Sequence, residues 1–138
     1  MKMFLRFAVV LSCTLFAIRP GLLAQSVSIS ASPATITNEG QESTITLTIS
    51  PPAARDLAVN LITTGTAALG SEYVLIGNFN KQNQAVVPAG SSSVTLTLHS
   101  LFGGTSNLTE TAVLNVISGK FYRVGRPPRA EVKIKNQP

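Results

Sequence analysis

Between Val27 and Ile134 the chain alternates apolar and polar residues with a period of two, in several separate runs. Val27, Ile29 and Ala31 alternate with Ser28 and Ser30. Ile45, Leu47 and Ile49 alternate with Thr44, Thr46 and Thr48. Leu57, Val59 and Leu61 alternate with Ala58 and Asn60, and Val94, Leu96 and Leu98 with Thr95, Thr97 and His99. Ala130, Val132 and Ile134 alternate with Glu131, Lys133 and Lys135. That period places one apolar face inward on half-buried antiparallel strands, with β-branched Thr suited to the wet face. Ala112, Leu114 and Val116 make a further inward set; there Val113 and Ile117 leave the outer face apolar too, which predicts a covering segment. Shorter strands are expected over Glu72–Ile76 and Ala85–Val87. Pro, Gly and Asn punctuate the runs: Ser32-Pro33, Asn38-Glu39-Gly40, Pro51-Pro52, Thr64-Gly65, Gly77-Asn78, Pro88-Ala89-Gly90 and Arg126-Pro127-Pro128.

Beyond residue 24 no window has the period of an amphipathic helix. About seven short strands at this spacing predict an all-β chain, an immunoglobulin-like antiparallel β-sandwich. Trp is absent and there is one Cys, so the disulfide and Trp of antibody domains are missing. The start of the chain changes the picture. Met1–Arg6 is basic, Phe7–Ile18 is largely apolar, and Leu22-Leu23-Ala24 precedes Gln25, the layout of a signal peptide over residues 1–24. The apolar run is shorter than the ~20 residues of a bilayer span. The organisation expected is therefore a signal peptide, 1–24, and one sandwich domain, 25–138. Removing the leader takes away Cys13 and three of the 11 basic residues, leaving eight against six acids, so the formal charge falls from +5 to +2. Most of the basicity belongs to the leader, which gives no support for nucleic-acid binding.

Four phrases follow one another along the domain. They are Ala31-Ser32-Pro33 with Asn38-Glu39-Gly40; Gly65-Thr66-Ala67-Ala68-Leu69-Gly70-Ser71-Glu72-Tyr73; Val87-Pro88-Ala89-Gly90 with the strand from Ser93; and Glu110-Thr111 with Leu114 and Val116. In this order they resemble the Calx-beta family over nearly all of residues 26–136. The resemblance implies a seven-stranded β-sandwich and, in some members, calcium held by the loops at one end. It places Glu39, Glu72 and Glu110 at family acid positions, Glu72 where Asp is usual. Phe102 and Gly103 stand where an Asp pair is expected, Asn107 and Thr109 replace two further acids, and Asn136-Gln137-Pro138 replaces a frequent acidic ending. Calcium takes six to eight oxygens, and affinity falls with the number of charges to ~10⁻⁴–10⁻³ M in extracellular modules. Three acids in place of about six leave two readings open: a weak calcium site, with Ca2+ the candidate cofactor, or solvated loop charges left from one.

Catalysis has little to stand on. His99 keeps the outward parity of Thr95 and Thr97, and Asp56 lies in a turn with nothing to bring it beside His99, so no Ser-His-Asp arrangement is expected. Lys120–Arg129 is the one basic, aromatic-bearing segment, predicted as a solvated hairpin with Phe121 and Val124 tucked beneath it. The chain is accordingly expected to be an exported, non-catalytic Calx-beta-like module, secreted, periplasmic or on the cell surface, with a structural, adhesion or interaction role. The alternative is a protein that binds an extracellular or envelope protein or glycan through an edge strand or the Arg126–Arg129 loop, without calcium.

Overall fold

A computed structural model describes residues 25–102 and 108–137; the expected signal peptide, Gly103 and Asn107 lie outside them. The alternating runs become strands: β1 Gln25–Ser32, β2 Thr35–Thr37, β3 Glu42–Ser50, β4 Leu57–Thr64, β5 Tyr73–Gly77, β6 Gln84–Val87, β7 Ser93–Ser100, β8 Thr109–Val116, β9 Tyr122–Val124 and β10 Arg129–Lys135. Two five-stranded sheets pack face to face, ordered β5-β7-β3-β1-β9 and β2-β10-β8-β4-β6. No helix among the described residues is long and apolar enough to cross a membrane.

Register follows from burial parity, because a slip of one residue would turn every apolar side chain of a strand to water. Ile29 lies opposite Leu47, and Leu47 opposite Val94, within the first sheet; Leu61 opposite Val116 and Leu114 opposite Ala130 within the second. These inward residues form one continuous core between the sheets. Each Val, Leu or Ile side chain so buried contributes about 1.5–3 kcal/mol.

The sandwich has ten strands where about seven were expected. Two of the additions, β2 and β9, are three residues long and lie at sheet edges. At Ser32–Ala34 the chain leaves the first sheet, and β2 joins the second in parallel to β10. At the other end β9 runs parallel to β1 before β10 enters the second sheet. Both edges are thereby short, which limits uncontrolled pairing with another chain. β5 begins at Tyr73, leaving Glu72 in the preceding turn. The outer face of β4 and β8 stays partly open: Ile62 is 47% and Ile117 36% exposed, so the expected covering segment is absent among the described residues.

Tyr122 locks the last connection. Its hydroxyl accepts from Asn60 N at 2.9 Å and donates to the Ile117 carbonyl, tying β9 to the middle of β4 and to the residue that follows β8. Phe121 and Val124, expected beneath the hairpin, are instead 59% and 38% exposed.

Candidate functional site

Glu72 and Glu110 are brought together at one end of the sandwich from segments far apart in sequence. The loop 65–72 is built for this. Gly65 turns it at φ +100°, where Ala67 N donates to Thr111 O at 2.9 Å and Thr111 N to Thr66 Oγ1 at 2.9 Å. The Glu72 amide donates to Ala68 O, and Glu72 Oε2 in turn accepts from Ala68 N, so the carboxylate closes its own turn. Leu101 N donates to Glu72 O at 2.8 Å, fixing the residue to the end of β7. One oxygen of Glu72 is therefore committed to the loop.

Glu110 stands at the start of β8. Its Oε2 accepts from Asn136 Nδ2 at 3.3 Å, which leaves Asn136 Oδ1 as a neutral acceptor. Burial pushes the Glu110 carboxyl above its ordinary pKa; the Asn136 amide opposes that, and the neighbouring Glu72 carboxylate adds to it. Two amides hold the end together: Asn136, where the resemblance expects a frequent acidic ending, and Asn38, in the turn before Glu39. Asn38, 5% exposed, accepts from Gln137 N through Oδ1 at 2.9 Å and donates its own N–H to Lys135 O. Asn136 is 8% exposed and donates through its backbone to Leu108 O. An Asn in a turn usually faces water, so only its tertiary partners single it out.

Glu39 lies exposed on the β2–β3 turn. Among the described residues no group of three His, Cys, Asp or Glu side chains could hold a metal, so Glu39 does not join the Glu72–Glu110 pair. What remains is two carboxylates and the Asn136 amide oxygen, short of the six to eight oxygens calcium takes unless water completes the set. Two like charges side by side nonetheless favour a proton or a cation between them. His99 Nδ1 and Glu42 Oε1 are 3.1 Å apart across β3 and β7, and Asp56 Oδ1 accepts from Ala89 N. The two are thus engaged separately.

The Glu110 shift gives a sign to test. The folded carboxyl holds its proton more tightly than the unfolded one, so stability is fully present below the unfolded pKa and falls as pH rises through the folded one. Glu110→Gln is expected to raise stability at neutral pH in calcium-free buffer, by less than about 1 kcal/mol because water screens the pair. Near pH ~3, below the ordinary carboxylate range, the gain should vanish. Thermal melts at the two pH values check this; equal midpoints at neutral pH would mean that neither burial nor Glu72 disfavours the Glu110 charge in solution.

The architecture and the loop end define a Calx-beta-like β-sandwich. The chain is similar to the apo form of the Calx CBD1 domain, with a TM-score of 0.60, 15% identity, and coverage of 81% of this chain and 98% of that one. It is also similar to the calcium binding domain CBD12 of CALX1.1 and to CBD12 from CALX1.2, each with a TM-score of 0.59 and 15% identity; 79% and 78% of this chain cover 44% and 43% of those. At this identity the likeness is one of fold. No family model and no curated protein matches the sequence.

Proposed function

We propose that this chain is an exported, non-catalytic Calx-beta-like module with a structural, adhesion or interaction role, whose Glu72–Glu110 end takes up calcium weakly. The observation that carries the reading is the meeting of these two carboxylates at one end of a sandwich similar to domains described as calcium-binding. A divalent cation would relieve their repulsion, with Asn136 Oδ1 and water supplying further oxygens. Secretion rests on the leader-like residues 1–24, and the non-catalytic reading on the separate partners of His99, which meets Glu42, and Asp56, which meets Ala89.

The test is the thermal midpoint of the purified chain across a calcium titration to about 10 mM, with magnesium as comparator. With a Kd of ~10⁻³ M, calcium at that concentration stabilises the fold by about 1.4 kcal/mol, a shift of a few degrees. Glu72→Gln is expected to abolish the rise, because Gln can still accept from Ala68 N yet carries no charge. A flat curve for the native chain, or an equal response to magnesium, would end the calcium reading.

A further inference from the structure

Charge is spread unevenly over the sandwich. Glu39, Glu42, Glu72 and Glu110 lie toward one end, where Lys133 and Lys135 of β10 also stand. The opposite end and its adjoining edge carry Arg55, Lys120, Arg123, Arg126 and Arg129, all exposed. Their placement follows from the pairing: Arg123 lies beside Ser26 at the start of β1, Arg129 opposite Asn115 near the end of β8, and Arg55 beside Phe121. Among the described residues the carboxylate contact to a basic side chain is Glu42 with the His99 ring, so none of these five cations is neutralised by a described carboxylate. Asp56, next to Arg55, directs its carboxylate to Ala89 N, and Glu131 lies two positions along β10 from Arg129 without pairing with it.

Apolar side chains stand out among these cations. Phe121 is 59% exposed with the Arg55 guanidinium 5.1 Å above its ring, and Val124 is 38% exposed. Val124–Pro128 line an open concavity beside them. Gln25, at the start of β1, pairs with Tyr122 at this same end.

We propose that this basic end seats on an anionic lipid bilayer. The five cations meet the headgroups, while Phe121 and Val124 enter the interface, where an aromatic ring and an aliphatic side chain are both favoured. A soluble polyanion would satisfy the cations alone and give the exposed Phe121 and Val124 no apolar phase to enter; their presence among the cations favours lipid. The surface is independent of the calcium reading, because it uses none of Glu39, Glu72 or Glu110.

The test is co-sedimentation of the purified chain with vesicles of phosphatidylglycerol and phosphatidylcholine, and of phosphatidylcholine alone, with EDTA present throughout. Binding is expected to the anionic vesicles only and to weaken as salt rises. The triple reversal Arg123→Glu, Arg126→Glu and Arg129→Glu should lower partitioning on the order of 100-fold, each lost cation removing about 5-fold. Phe121→Ser should lower it several-fold at high salt, where charge is screened. Unchanged thermal midpoints show that both variants fold. Equal binding to both vesicle types would overturn the proposal. So would vesicle binding that ignores Phe121→Ser and is matched by soluble heparin, which would mark a polyanion surface instead.

Discussion

Gly65→Ala is expected to cost more than about 3 kcal/mol and to lower the melting midpoint by roughly 10 °C or more. Two effects add. Gly65 sits at φ +100°, where a side chain is strained by about 1–3 kcal/mol. Its Cβ would also lie 2.2 Å from the Thr111 carbonyl oxygen, a backbone atom of a central strand that cannot swing aside. Moving apart would break the Ala67–Thr111 hydrogen bond, worth about 1 kcal/mol. Gly70→Ala is the control: φ is +93° with nothing within 4 Å of a new Cβ, so strain alone remains. The difference between the two melts isolates the close approach. Because the loop carries Glu72 and Thr111 follows Glu110, Gly65→Ala should also reduce any calcium response below the midpoint. Equal losses for the two variants would show that the loop relaxes freely away from β8.

The long strands were legible because period-two alternation is the same fact as burial on one face. The short ones were not: Thr35–Thr37 and Tyr122–Val124 hold too few residues to display a period, and their place is set by which sheet offers a free edge. In Lys120-Phe121-Tyr122 adjacent aromatics must face opposite ways, and parity alone does not choose. Tyr122 goes inward because its hydroxyl finds Asn60 N and Ile117 O, and because Gly119 leaves room: a Cβ there would stand 2.3 Å from the ring. Phe121 has no polar handle and is left outside. The site was legible by resemblance of phrases, which located Glu39, Glu72 and Glu110 at loop ends. It did not say where each carboxylate points. Glu72 serves its own turn as well as the pair, and Glu39 faces water; those outcomes depend on hydrogen bonds to Ala68 and Asn136 that no local pattern encodes.

Tyr73→Ala is expected to cost about 3–5 kcal/mol, as large aromatic truncations do in a core that cannot collapse. Tyr73 is 0% exposed and among the largest fully buried side chains. Tyr73→Phe should behave in the opposite way. The hydroxyl is buried without a partner in hydrogen-bond geometry, although the Thr63 side chain is near, and burial pushes its pKa above the ordinary value. Removing an unpaired buried hydroxyl relieves a desolvation penalty, so the Phe variant should be neutral or slightly more stable. The ring also matters to the acidic end. Tyr73 O accepts from Gly70 N at 2.7 Å, and the residue follows Glu72, so the buried ring anchors the turn that presents that carboxylate. Tyr73→Ala should therefore lose the calcium response while Tyr73→Phe keeps it. Chemical denaturation of both variants, with and without calcium, reads both effects at once. A loss above about 1 kcal/mol for Tyr73→Phe would mean that the hydroxyl is bonded in solution, to Thr63 or to a buried water. The start of β5 would then be held by a polar contact as well as by packing.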